Sequence, residues 1–240
     1  KSRMHSIRNH IAKAMEKLET EDFQLEELHI AGEKCAALRV PQIVITAAGE
    51  IDQKERIADA LLTARAGQDI VYAGWAGLEG MLRIIGEKEA ELRERFTPAF
   101  IGQMKAYDSE LCGLSKIAVA DAMGVSVIRQ VSRGGILASL WDLAKDTELG
   151  LNLDLKKIAV RQETIEVCEH FRLNPYQLAS GGSFLMLTEN GEALADALNQ
   201  NGIQAAVIGQ LTDSNDKIIH NGEDMRYIDR PAPDELMKVF

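Results

Sequence analysis

The 240-residue sequence lacks the features that mark several classes of protein. Its three cysteines are widely spaced and form no CxxC pair, which argues against a zinc site and a disulfide framework. No apolar run is long enough to cross a membrane, and the polar, basic N-terminus is not followed by the apolar core of a signal peptide. The net charge of −10 and the absence of basic runs argue against nucleic acid and anionic membranes as partners. We therefore expect a cytoplasmic protein without nucleic-acid or membrane contacts.

Short catalytic motifs are also absent. The sequence contains no P-loop, no GxGxxG fingerprint and no GxSxG nucleophile turn. Its five histidines do not have the spacing of metal ligands. Cys168 lies on the apolar face of a predicted helix, so we interpret it as a core residue rather than a nucleophile.

What the sequence does contain is a mixture of helical and strand patterns, and its apolar fraction of 46% is enough for a sizeable core. The patterns do not alternate strictly, which predicts an α+β fold with a mixed β-sheet flanked by helices. A turn after Ala48 divides a segment of residues 1–50 from a domain of residues 51–240. Helices are predicted over about 78–95, 98–111, 115–123, 135–145, 160–171, 191–201 and the tail 231–240. Strands are predicted over about 70–73, 125–131, 149–155, 183–188, 203–209, 217–221 and 226–228.

Two glycine pairs bracket one α/β unit of this domain. Gly134-Gly135 opens a predicted helix, and Gly181-Gly182 leads into a predicted strand. Glycine allows a positive φ and a close approach to the backbone, and the N–H groups at the start of a helix favour an anion. A tight turn explains either pair equally well when it is taken alone. Glu33, beside Gly32 at the end of a strand, is a candidate Mg²⁺ ligand, with an ordinary exposed glutamate as the alternative.

An ordered set of motifs resembles one family. The segment 67–80 is followed by Ser132-Arg133-Gly134-Gly135, by the segment 168–175, by Ala179-Ser180-Gly181-Gly182-Ser183 and by the segment 206–209. Together they resemble the C-terminal domain of aminoimidazole ribonucleotide (AIR) synthase-related proteins, especially the hydrogenase maturation branch of that superfamily. The resemblance covers about residues 50–230 and implies an α+β fold.

The resemblance also implies a chemistry and an assembly. Members of the superfamily use ATP to activate an amide, carbamoyl or similar oxygen as a phosphate. ATP and Mg²⁺ are held mainly by an N-terminal half through which the proteins form homodimers. Residues 1–50 resemble the end of such a half, in which Gly32-Glu33 falls at the metal motif. An apolar helix face with Ile7, Ile11 and Met15 predicts burial against a second copy of the chain, and hence a homodimer.

By the same resemblance the two glycine turns form the C-terminal wall of a cleft that receives substrate or phosphate. The candidate residues for binding a small anionic ligand there are Arg129, Ser132, Arg133, Gly134, Gly135, Ser180, Gly181 and Gly182. No catalytic residue is assigned.

The sequence departs from the family at several positions. Lys34 stands in place of a threonine of the metal motif, and Arg129-Gln130 stand where the family usually carries His-Asp. The Asp-rich stretches that hold Mg²⁺-ATP and the C-terminal cysteine of the hydrogenase maturation protein are not in this sequence. Two hypotheses therefore stay open: an ATP-dependent enzyme of unknown substrate, and a non-catalytic assembly or small-ligand-binding protein that keeps the fold.

Overall fold

The computed structural model describes residues 61–125 and 127–240. The predictions made for residues 1–60 lie outside the described residues. They include Glu33, the partial N-terminal segment and the apolar face of Ile7, Ile11 and Met15.

A mixed seven-stranded sheet forms the centre of the described domain. Its strand order is β2-β4-β1-β5-β3-β6-β7, and every neighbouring pair is antiparallel except β3 and β6, which are parallel. The strands are β1 (Asp69–Ala73), β2 (Val127–Gln130), β3 (Gly150–Asp154), β4 (Phe184–Thr188), β5 (Ala205–Thr212), β6 (Lys217–Asn221) and β7 (Asp224–Tyr227).

Helices cover the sheet and form a further layer. Among the described residues the α-helices are α1 (Leu78–Leu92), α2 (Pro98–Lys105), α3 (Leu114–Ala122), α4 (Gly135–Thr147), α5 (Gln162–Phe171) and α6 (Gly191–Gln200). Together the sheet and these helices confirm the predicted α+β class.

The alternation of side chains along β1 explains how the sheet is covered. Ile70 and Tyr72 pack with α4 in one buried cluster, whereas Val71 and Ala73 pack with α3 and α6 in another. Buried residues of α1, α2 and α5 form a third cluster. All four of these β1 side chains are at most 1% exposed, so the strand lies at the centre of the core.

Several local signals have the expected structural consequence. The Thr97 hydroxyl accepts from the Phe100 N–H and caps α2, with Pro98 at the first helical position. Asn221-Gly222 turns β6 into β7, as a hairpin signal predicts. The predicted helix over 98–111 is shorter, because α2 ends at Lys105 and continues as a 3₁₀ helix over Ala106–Leu111.

The C-terminal tail differs from the single short helix that was predicted. Only Glu235–Lys238 form a 3₁₀ helix. Pro231 and Pro233 lack an N–H group and disfavour a helical conformation in the residue before each of them. The tail is fixed by Leu236, which is buried against the helical cluster, and this places Asp234 beside Gly134.

Candidate functional site

The two glycine turns lie side by side at the ends of paired strands. β2 pairs with β4 so that Gln130 faces Phe184. Just beyond this pair, the Val131 N–H donates to the Ser183 carbonyl at 2.9 Å and the Ser180 N–H donates to the Ser132 carbonyl at 3.3 Å. The structure therefore brings the segments 131–135 and 179–183 together.

A third glycine turn, residues 74–80 at the junction of β1 and α1, is hydrogen-bonded to the segment 179–183 that contains the second glycine pair. The Gly77 N–H donates to Ser180 Oγ at 2.7 Å, and the Ser180 hydroxyl donates to the Leu178 carbonyl at 2.7 Å. The Gly80 N–H donates to the Ala179 carbonyl at 2.9 Å. Ser180 is fully buried, so its hydroxyl connects two turns and is not available as a nucleophile.

Two of the glycines are needed for close backbone packing as well as for turning. Gly135 has φ +67°, and a Cβ there would lie 2.5 Å from the Tyr176 carbonyl oxygen. Gly182 has φ +81°, and a Cβ there would lie 2.5 Å from Leu111 Cα. A side chain at either position would collide with backbone, which cannot move aside as a flexible side chain does.

In each of the two glycine turns, one backbone N–H group donates a hydrogen bond to a carboxylate of the chain itself. The Gly134 N–H donates to Asp234 Oδ2 at 2.7 Å, and the Gly181 N–H donates to Glu79 Oε2 at 2.9 Å. These contacts are the interaction that an external phosphate or carboxylate would make with the same amides. An added anion must displace Asp234 or Glu79 to reach them.

Neither carboxylate was predicted from the sequence as part of the site, although each belongs to a recognisable local sequence pattern. Glu79 belongs to the glycine-rich segment 67–80 on which the family resemblance rests. Asp234 follows Pro233 and caps the short tail helix through the Leu236 N–H at 2.9 Å, a capping pattern visible in the sequence. Their partners across the fold were not visible, because the contacts join residues about a hundred positions apart.

The two candidate arginines lie in different places. Arg129 donates to Asp146 Oδ2 at 2.5 Å. Asp146 is in the last turn of α4, about 16 Å along the helix axis from Gly135, so the guanidinium is directed away from the glycine turns. Arg133 and Ser132 are exposed beside the first turn. Of the candidate residues, these two present polar side chains to solvent there.

Two titratable groups in the core, Cys168 and Tyr72, stay protonated at neutral pH. Burial raises the pKa of the Cys168 thiol to about 12, and the carboxylate of Glu235 acts in the same direction. Cys168 is 2% exposed, which confirms its assignment to the core. Burial also raises the pKa of Tyr72 above its ordinary value.

No metal centre forms within the part of the chain that the structure describes. In residues 61–125 and 127–240, no three His, Cys, Asp or Glu side chains are close enough together to hold a metal ion. None of the helices described there is both long and apolar enough to cross a bilayer.

Comparison with known proteins shows to which protein family the chain belongs. Residues 65–221 match the family described as AIR synthase related protein, C-terminal domain. The chain belongs to this family. The match extends over six of the seven strands, from β1 to β6, and includes the three glycine turns.

Two relatives illustrate the similarity at the level of sequence. The chain is 24% identical over 217 residues to a putative hydrogenase expression/formation protein of Methanocaldococcus jannaschii, covering 88% of this chain and 62% of that protein. It is 28% identical over 152 residues to carbamoyl dehydratase HypE of Azotobacter vinelandii, covering 62% of this chain and 42% of that protein. The chain thus spans less than two thirds of the length of these relatives.

Solved structures agree on the fold. The hydrogenase maturation protein HypE of E. coli superposes with a TM-score of 0.57 at 20% identity, over 75% of this chain and 54% of that one. A HypE structure in complex with ATP superposes with a TM-score of 0.53 at 18% identity, over 74% of this chain and 54% of that one. These similarities support the mixed-sheet architecture of the described domain.

Proposed function

We propose that the chain acts as part of an ATP-dependent enzyme that activates an amide, carbamoyl or similar oxygen of a substrate as a phosphate. In this proposal residues 61–240 form the wall of the cleft that faces the substrate. The proposal is supported by membership of the AIR synthase-related family and by relatives named carbamoyl dehydratase.

The observation that carries the proposal is that three glycine turns are joined at one buried residue, Ser180. Ser180 Oγ accepts from the Gly77 N–H, while the Ser180 N–H donates to the Ser132 carbonyl. Loops alone would be too mobile to position a ligand, and such cross-links hold three of them in one arrangement. Arg133, exposed beside the first turn, is the cation that would meet an anionic substrate at this wall.

The described residues do not fit Mg²⁺-ATP. The amides of Gly134 and Gly181 are engaged by Asp234 and Glu79, and no metal-binding group of side chains occurs among residues 61–125 and 127–240. We therefore assign no step of phosphate transfer to these residues. In our proposal nucleotide and Mg²⁺ bind outside residues 61–240, and a homodimer brings the two parts of the cleft together.

A second candidate function is favoured by the same carboxylates. A domain whose amide groups are occupied by its own side chains suits a non-catalytic protein that keeps the fold for assembly or for binding a small ligand. In that case Asp234 and Glu79 take the place of the ligand permanently.

ADP formation by the full-length protein separates the two candidates. The protein is incubated with Mg²⁺-ATP and a panel of compounds that carry carbamoyl or primary amide groups. We expect ADP release that depends on one of these compounds. Replacement of Arg133 by methionine should raise the KM for an anionic substrate, whereas Lys145→Met, an exposed control on α4, should not. Absence of ADP formation together with absence of ATP binding by calorimetry would favour the non-catalytic candidate.

A further inference from the structure

Lys116 is a buried cation without a counter-ion. It lies in the first turn of α3 and is only 6% exposed. Its Nζ donates to the carbonyl oxygens of Glu110 at 2.9 Å and Cys112 at 3.1 Å. Within the described part of the chain, its third donor has no acceptor and no carboxylate forms an ion pair with it. Burial of an ammonium group is costly unless a negative charge compensates it.

The same lysine lines a polar pocket of about 210 Å³. The pocket lies between the Gly74-Trp75 turn, the segment 109–116 and the loop 201–204. None of the candidate residues of the glycine turns lines it. Burial lowers the pKa of Lys116, and the nearby Cys112 and Glu110 act in the opposite direction.

The start of α3 adds positive potential to the pocket. Gly113 is the N-cap residue, and no side chain caps the helix. The free N–H groups of a first turn carry the positive end of the helix dipole. Ser115, in that turn, is exposed and lines the pocket together with Lys116.

The acidic side chain in the pocket wall is already neutralised. Glu110 forms an ion pair with Arg161. The Arg161 guanidinium carbon lies 4.2 Å from the centre of the Trp75 ring and 3.9 Å from the centre of the Tyr107 ring. This sandwich fixes the guanidinium on Glu110, so Lys116 is left as the surplus charge of the pocket.

We propose that this pocket binds the oxyanion of a small molecule, either a phosphate monoester or a carboxylate, with Lys116 as its counter-ion. The first-turn N–H groups of α3 and the Ser115 hydroxyl supply the neutral donors. Trp75 forms the wall against the organic part of the ligand. The site shares Gly74 and Trp75 with the third glycine turn but none of the residues of segments 131–135 and 179–183, and it does not depend on ATP turnover.

Tryptophan fluorescence tests the proposal directly, because Trp75 lines the pocket. The other tryptophan, Trp141, lies on α4 with Lys217 over its ring, and it is replaced by phenylalanine in every sample. Inorganic phosphate and acetate are titrated at constant ionic strength, with chloride as the balancing salt. Lys116→Met removes the charge but keeps a long apolar side chain, and Lys145→Met removes one exposed charge elsewhere.

We expect saturable quenching by at least one of the two anions. Loss of a charge-assisted contact in Lys116→Met should weaken binding by roughly tenfold or more, while Lys145→Met binds like the parent. Phosphate without acetate identifies a phosphate monoester site, and acetate without phosphate identifies a carboxylate site. No saturation with either anion, or unchanged binding in Lys116→Met, would overturn the proposal.

A second measurement on the unsubstituted protein keeps the test valid if Lys116→Met does not fold. Amide resonances of Ser115 and Lys116 should shift with phosphate or acetate and saturate at the same concentration as the fluorescence signal. Resonances that stay fixed at saturating anion would equally overturn the proposal.

Discussion

Replacement of Gly182 by alanine, compared with the same change at Gly124, separates two costs. One is the backbone strain of a positive φ, and the other is the collision of the added Cβ with neighbouring atoms. Gly182 has φ +81°, and a Cβ there would lie 2.5 Å from both the Cα and the carbonyl oxygen of Leu111. Gly124 has a similar φ of +71°, but a Cβ there would have no heavy atom within 4 Å. Gly124→Ala is therefore a matched control that carries the conformational strain without the collision.

The expected magnitudes follow from these two geometries. A left-handed alanine costs about 1–2 kcal/mol, and this cost applies to both variants. Forcing a methyl group into packed backbone adds roughly 1–3 kcal/mol at Gly182 alone. We therefore expect Gly124→Ala to lower the free energy of unfolding by about 1–2 kcal/mol and Gly182→Ala by about 2–5 kcal/mol.

Urea denaturation followed by circular dichroism measures both values. The midpoint should fall further for Gly182→Ala, with the same slope for all three proteins, since the surface exposed on unfolding is unchanged. Equal losses in the two variants would show that the second glycine turn does not pack against Leu111, and the close approach inferred from the structure would be refuted.

Three further predictions concern the tail, a helix cap and a buried thiol. Asp234→Ala should destabilise the fold by about 1–2 kcal/mol and speed hydrogen exchange at the Gly134 amide, because its acceptor is lost; an unchanged exchange rate would contradict the contact. Thr97→Ala should cost about 1 kcal/mol in the same denaturation assay through loss of the α2 cap, and Thr97→Ser should recover most of it. The pKa of the Cys168 thiol rises from 9.0 to about 12 on burial, so between these values the unfolded chain releases a proton that the folded chain retains. Stability of the unsubstituted protein relative to Cys168→Ala should fall by roughly 1 kcal/mol per pH unit in that window, and a difference that does not vary with pH would contradict the assignment.

Local patterns in the sequence predicted the elements well. The Thr97-Pro98 start of α2, the Asn221-Gly222 hairpin and the helix opened by Gly135 are all present. These features depend on neighbours within a few residues, which the sequence displays directly. The tail was predicted less well, because two prolines and the burial of Leu236 outweighed its helical composition.

The site was harder to predict because its decisive contacts are remote in the sequence. The glycine turns were identified, but their partners Glu79 and Asp234 lie about a hundred residues away. Lys116 was not singled out from the sequence, since nothing near it in the sequence indicates burial without a counter-ion. Only the packing of the 109–116 segment against the Gly74-Trp75 turn reveals it.

Photolabelling of the full-length protein with 8-azido-ATP tests most directly the claim that residues 61–240 form the substrate wall and do not hold the nucleotide. Labelled peptides are mapped by mass spectrometry in the presence of Mg²⁺, with excess ATP as the competitor. We expect competable labelling, all of it outside residues 61–240. Competable labelling on the segments 131–135 or 179–183 would contradict this claim. It would show that the nucleotide displaces Asp234 or Glu79 from the N–H groups of Gly134 or Gly181.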